Sequence, residues 1–374
     1  MPPHPTRAPF SERGGPLRGL LDLATFRYPG FLFGTGVGAQ LPVFHLHEAT
    51  PASLEPRLQY LADNGYSTIT TDAIESCVRR GVNPGPRAVA LCFDDAWASL
   101  WTVAAPLLKR YGFTAIAFAI PGRIEEADAV RPTLADGAPT DGQEDRSRVP
   151  FVTWPELRAL VRSGVIDVQS HTWSHSAVFS ADELVDFVSL TTLNSPLLDR
   201  PRLDGPQLRF VDEPDLGAPL FHTRSRMSDG YRWVEDAAAR DRCVEHVRRH
   251  GGAAYFERPA WRDDLRAVLD GASGRFESDA EREAAVADEI DRARSDLKAR
   301  AGIDARHVCL PWGIGGEVAR RAAERLGVAT MFCDRLLGRR IVAAGDDPLR
   351  LMRLHDRFIY CLPGRGRRFF FSVA

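Results

Sequence analysis

From about residue 40 the chain alternates short apolar runs with amphipathic stretches, and no other feature restricts its fold as strongly. LPVFHL reads as a strand. PASLEPRLQYLADNG follows as a helix, with Leu54, Leu58 and Leu61 on one face and Gly65 as its stop. YSTITT is the next strand, DAIESCVRRG a short helix closed by Gly81, and AVALCF a third strand. SLWTVAAPLLKRYG then reads as a helix and TAIAFAI as a fourth strand, and WPELRALVRSG with VIDVQS continues the pattern. Repetition of this kind predicts a parallel sheet or a barrel.

The rhythm breaks after about residue 180. SADELVDFV still reads as helical, but residues 191–230 are rich in Pro, Asp, Arg and Gly without periodicity. DAAARDRCVEHVRRHGG and WRDDLRAVLDG read as helices, so about 190–275 is predicted to be a long, partly helical insertion. A long helix ending near Gly302 follows, and HVCLPWG, EVARRAAERLG and VATMFC resume the strand–helix alternation. One α/β domain over 39–374, a distorted (β/α) barrel interrupted by that insertion, accounts for this better than two domains in series. Residues 1–38 are left as an N-terminal extension.

A net charge of −2 gives no reason to expect nucleic acid or an anionic membrane as partner. The start has no apolar run longer than LLDLA, which is not the core of a secretory signal. No run approaches the roughly 18 apolar residues of a membrane span. Cys77, Cys92, Cys243, Cys309, Cys333 and Cys361 are scattered singly, as reduced thiols would be. The expectation is a cytoplasmic protein. The tail LPGRGRRFFFSVA is expected to dock as a strand with solvated arginines, and Arg224 and Arg226 in the insertion are candidates for a lid over an anionic substrate.

Three groups of residues sit at the ends of predicted strands: Asp94 and Asp95 after AVALCF, His171 and His175 after VIDVQS, and Pro311, Trp312 and Gly313 after HVCL. In parallel α/β folds the carboxyl ends of the strands share one face, where functional side chains converge. Two imidazoles four residues apart with one carboxylate make a three-ligand set that leaves positions open for water and substrate. A Zn²⁺ in such a set lowers the pKa of water from about 15.7 towards about 7, and the second carboxylate could take its proton. Trp97, Trp173 and Trp312 lie within these motifs, where aromatic faces could meet sugar rings or simply wall the barrel mouth. His45 and His47 share one face of the first strand and could approach from there.

CFDDAW and SHTWSH resemble the first two motifs of the NodB-type polysaccharide deacetylases (carbohydrate esterase family 4), usually TFDDG and H-[ST]-x-x-H. The flanking sequence over about 40–190, and more loosely over 280–360, is similar to the bacterial exopolysaccharide N-deacetylases. The resemblance implies that Asp94 is the catalytic base and that Asp95, His171 and His175 hold a divalent metal, zinc being usual in the family. It implies hydrolysis of an N-acetyl group on an amino sugar or glycan, a small molecule or an oligosaccharide, by attack of metal-activated water on the amide carbonyl. LPWG resembles the third motif, R-x-P-[YF], which makes Pro311 and Trp312, with Trp97 and Trp173, candidate substrate-binding residues. Cys309 stands where many members carry an Arg that steadies the base.

For the general acid, LMRLHDRF offers His355 in a late L-x-H motif, with Arg353 in place of the Leu. Aligning DPLRLMRL with the segment DP-x-R-L-P-R instead makes His355 incidental. Cys92 replaces Thr and Ala96 replaces Gly in the first motif. Alanine lacks glycine's easy access to positive φ, so a right-handed helix start is expected after Asp95. Two other readings remain: a hydrolase of a non-sugar C–N bond, such as a cyclic amide or ureide, and a silent glycan-binding module. The intact Asp94, Asp95, His171 and His175 argue against the second.

Overall fold

The structure, a computed structural model, describes residues 16–137, 149–203 and 208–373. Residues 1–15 of the predicted extension lie outside the described residues. The chain forms two compact units, one of Gly14–Ser174, Asp288–Gly315 and Arg320–Ala374, the other of His175–Ala287 with Gly316–Ala319.

The larger unit is built on eight strands: β1 (Val43–Leu46), β2 (Ser67–Thr68), β3 (Ala88–Asp95), β4 (Ala115–Ala119), β5 (Ile166–Ser170), β6 (His307–Cys309), β7 (Thr330–Phe332) and β8 (Leu354–His355). They pair in the order β7-β6-β5-β4-β3-β1-β8, with β2 on the start of β3, and every pairing is parallel. β7 and β8 are the two edges. Residues 351–353 lie between them: Leu351 bridges to Phe332 of β7, and Leu354 of β8 pairs with Phe44 of β1. This makes a distorted (β/α) barrel closed by a few residues of irregular chain.

β3 is buried along its whole length, which is why it reads as a continuous apolar run. Ala88, Ala90 and Cys92 face an interior shared with Ile116, Phe118, Cys309, Phe332 and Leu351. Val89, Leu91 and Phe93 face the helical layer, where Leu54, Leu58 and Leu61 of α1 (Pro51–Asp63) pack. α1 starts as its sequence predicts, with the Thr50 side chain accepting from the Ser53 N–H and Pro51 in the first turn. α2 (Thr71–Arg80) follows β2 and ends at Gly81, whose φ of 68° suits glycine. The predicted helix after β3 opens as a wide turn, Leu100–Ala104, before the α3 helix (Ala105–Tyr111). α4 (Trp154–Ser163) precedes β5 and α5 (Asp279–Ala301) precedes β6.

The smaller unit corrects one expectation. SADELVDFV is not helical: Ala177–Phe187 is a strand, antiparallel to Pro219–Ser225 with irregular register. Its buried Phe179 and Phe187 and exposed middle suit a sheet face, and pairing with a distant strand overrides a weak local preference. Helices form at Ala237–Arg249 and Trp261–Leu269 and pack around Phe187, Tyr255 and Leu265. Arg226 is buried and bidentate to Glu277, at 3.0 and 2.8 Å. It is therefore a structural cation and not the substrate-facing one that its position in the insertion suggested.

The C-terminal tail is docked, but not as a strand. Phe370–Val373 forms a helical turn, and Arg367 donates to the carbonyls of Phe31, Gly34, Thr35 and Cys361 instead of being solvated.

Candidate active site

Asp94 continues the inward-facing series of β3, so its carboxylate enters the barrel interior, 4% exposed. A carboxylate there needs a partner. It has one: Arg353 donates Nη1 to Oδ1 and Nη2 to Oδ2, both at 2.7 Å. The guanidinium lies over Phe118 and Phe332 at 5.5 and 5.7 Å from the ring centres, and Nη2 is 2.9 Å from the Cys309 sulfur. Burial would push the Asp94 carboxyl up, but Arg353 outweighs it and holds the group well below the usual carboxylate range. Arg353 is thus the steadying cation that the Cys309 position lacks. It comes from the closing segment between β7 and β8; the sequence reading gave it no role, although aligning DPLRLMRL with DP-x-R-L-P-R, which sets an arginine at 353, could have found it.

At Asp95 the chain leaves the strand in a way the sequence did not suggest. Asp95 has φ of 68° and Ala96 φ of 55°, so the turn is left-handed and not the right-handed helix start expected from an alanine. Thr172, His175 and Trp312 also have positive φ, at 64°, 53° and 54°. Of seven such non-glycine residues among those described, five stand in the three predicted strand-end motifs. Each costs of order 1–3 kcal/mol, so the surroundings must impose them.

Asp95, His171 and His175 are all buried, and each offers one donor atom within 4.8 Å of the others. The Asp95 Oδ1 is 3.3 Å from His171 Nε2, while its Oδ2 accepts the Trp97 indole N–H at 2.9 Å. His171 Nδ1 is 2.8 Å from the Cys309 carbonyl oxygen. A carbonyl can only accept, so Nδ1 carries a proton, and Nε2 is the ring atom that faces Asp95. Two imidazoles and one carboxylate, with the outer atoms of two of them already engaged, form a donor set that fits a borderline divalent cation.

The loop 171–174 is held from below by α5. Glu289 is buried and accepts from the Ser174 backbone N–H at 2.9 Å and from its hydroxyl at 2.5 Å. The Trp173 N–H donates to the Glu289 carbonyl, and its indole N–H donates to Asp296 at 2.8 Å. Nothing local in the sequence marks Glu289, which lies 115 residues from Ser174. Glu289→Ala is expected to weaken divalent-metal affinity by about 10–100-fold, as loss of the contacts that orient metal ligands does, with Glu289→Gln intermediate. Competition with a chromophoric chelator would measure it.

The predicted aromatic residues have different surroundings. Trp97 stacks on Phe151 at 4.8 Å while serving Asp95. Trp173 is buried beneath the Arg292 guanidinium, 3.5 Å from the ring centre. Pro311 is buried, and Trp312 beside it is partly exposed.

On the other side of Asp94 lie three imidazoles. His45, His47 and Asp94 offer atoms within 4.8 Å of one another, and His47 Nε2 is 4.0 Å from Asp94 Oδ2. The His355 ring centre is 5.3 Å from that of His45. His355 Nδ1 lies 2.5 Å from Asp356, which also pairs with Arg57 at 2.8 Å. Burial, with the charge of Arg353 behind it, pulls His45 down to about 3, so its ring is neutral at pH 7.

Residues 81–192 match the family model described as polysaccharide deacetylase. Over 123 residues the chain is 28% identical to the poly-beta-1,6-N-acetyl-D-glucosamine N-deacetylase of Escherichia coli (strain K12). That stretch is 33% of this chain but 17% of the E. coli protein, so the chain spans only a small part of the relative's length. Among solved structures, the BpsB deacetylase domain from Bordetella bronchiseptica aligns with a TM-score of 0.52 and 18% identity, covering 86% of this chain and 97% of that one. IcaB from Ammonifex degensii aligns at 0.46 and 17%, covering 85% and 92%. The BpsB alignment supports the same barrel fold.

Proposed function

We propose that this chain, which belongs to the polysaccharide deacetylase family through residues 81–192, is a metal-dependent amide hydrolase that removes acetyl groups from N-acetylated amino-sugar units of a glycan. One observation carries the reading: a buried two-histidine, one-aspartate donor set stands beside an ionised carboxylate clamped by an arginine. Asp95, His171 and His175 would hold the metal, with Zn²⁺ the ion that best suits two imidazoles and one carboxylate. When bound there, such an ion supplies Lewis acidity, lowering the pKa of water and polarising the amide carbonyl.

The remaining work falls to the chain's own residues. Asp94 accepts the proton of the attacking water, and Arg353 keeps its carboxylate charged and fixed in orientation. The departing amine must be protonated, because an amide anion is a very poor leaving group. His45 and His47 flank Asp94 directly, and His355 with Asp356 stands behind His45. In this reading His47, 4.0 Å from Asp94, delivers the proton, and the neutral His45 ring packs against both His47 and His355. Trp312, partly exposed next to the buried Pro311, is the aromatic face left for a sugar ring. Trp97 serves it indirectly through its bond to Asp95, and Trp173, packed under Arg292 and bonded to Asp296, steadies the loop between the two histidines. A cytoplasmic location belongs to the same reading and is supported by six free cysteines.

Acetate release from N-acetylglucosamine oligomers, β-1,6-linked ones included, tests the proposal. Chelator treatment should abolish release and Zn²⁺ should restore it. Release indifferent to chelation would overturn the metal-dependent reading. Zinc-dependent ammonia or carboxylate production from cyclic amides, with no acetate from any sugar, would favour the non-sugar alternative.

A further inference from the structure

The other end of the barrel carries a second group of donors that the proposed reaction does not use. Asp72 and Glu75, on the first turns of α2, and His307, at the start of β6, offer atoms within 4.8 Å of one another. We propose that Asp72, Glu75 and His307 form a second divalent-cation site of the zinc class, separate from the Asp95–His171–His175 set.

His307 carries the inference. Its ring is 1% exposed, and its Nδ1 is engaged by the Thr330 hydroxyl at 2.8 Å. Its backbone N–H donates to the Gln169 side chain at 3.1 Å. The remaining ring atom, Nε2, is buried with no hydrogen-bond partner among the described residues. Leaving such an atom unsatisfied costs about 1–3 kcal/mol. Nε2 faces Asp72 Oδ1 across 3.7 Å, too far for a hydrogen bond. That gap is the separation of two donors each about 2.0–2.2 Å from a shared ion at an open angle. Burial also lowers the affinity of His307 for a proton, leaving its imidazole neutral as a ligand must be.

The approach is open. A cavity of about 530 Å³ lined by Thr71, Asp72, Asp167, Gln169, Arg306 and His307 reaches the cluster from solvent. An imidazole in the set favours Zn²⁺, Co²⁺ or Ni²⁺ over Ca²⁺ and Mg²⁺. Arg306 opposes the site: it lies 2.8 Å from Glu75 and 3.8 Å from Asp72, so it competes for the same carboxylates. Arg79 also sits 3.5 Å from Glu75. An ion bound here would pin α2 to β6, whose far end presents the Cys309 carbonyl to His171.

Zinc added to chelator-stripped protein and counted after desalting tests the proposal. The parent should hold two ions per chain, and Asp72→Asn with Glu75→Gln should hold one. Both residues lie on the outside of a helix, so the fold should survive. Equal zinc content in parent and double variant overturns the site. Arg306→Ala should tighten the second, weaker binding step by about tenfold or more, because it removes a competing cation. Unchanged or weaker binding there also overturns the site. In an Asp95→Asn, His171→Asn background, Zn²⁺ should still raise Tm, and adding the Asp72 and Glu75 changes should remove that rise. No rise in that background counts against the site independently of whether the deacetylase reading stands.

Discussion

Asp94→Asn is expected to lower acetate release by about 10²–10⁴-fold, the range for loss of a positioned general base, while zinc content stays that of the parent. Asparagine keeps the shape of the side chain and can still accept from Arg353, so the geometry of the turn into Asp95 should hold. What it loses is the ability to take a proton. The donor set Asp95, His171 and His175 does not include Asp94, which is why metal should remain. The substitution also leaves Arg353 buried without its counter-charge, and breaking a buried pair can cost 3–5 kcal/mol. Activity must therefore be expressed per folded, metal-loaded chain, with Tm measured alongside. Parent-like turnover in folded, zinc-loaded Asp94→Asn would remove Asp94 from the mechanism. Loss of zinc together with activity would mean that the carboxylate is a ligand and not the base.

The part of this arrangement that lies on β3 and β5 was legible in the sequence because it depends on local order. A buried strand spells itself as AVALCF, and whatever follows it must emerge at the carboxyl end of the barrel. The same holds for SHTWSH after β5 and for LPWG after β6. Two kinds of information were not legible. One is backbone strain: Asp95 and Ala96 adopt positive φ although neither is glycine, because the tertiary setting pays the local cost. The other is partnership over long separations. Arg353 meets Asp94 across 259 residues, and Glu289 meets Ser174 across 115. Periodicity carries no record of such contacts. SADELVDFV failed for a related reason, since its partner strand lies more than thirty residues away and supplies the backbone bonds that decide its conformation.

Arg353→Ala is the more damaging change for the fold. It leaves the Asp94 carboxylate in the barrel interior with its cation gone, and the expected loss is about 3–5 kcal/mol. Without the guanidinium nothing comparable offsets burial, the influence that already pushes this carboxyl upward, so its charge and orientation are both compromised. Acetate release should fall at least about tenfold even in the fraction that folds. Arg353→Lys should not rescue it, because an ammonium cannot reproduce two parallel bonds to one carboxylate. A double-mutant cycle separates the stability effect from the chemical one. Replacing both partners, Asp94→Asn with Arg353→Met, removes both buried charges and should recover much of the stability lost in Arg353→Ala, since a buried pair exchanged for neutral groups is often near neutral. It should recover none of the activity. A double variant as unstable as Arg353→Ala would mean that the guanidinium acts chiefly by packing between Phe118 and Phe332, and that the charge it gives Asp94 matters little for folding.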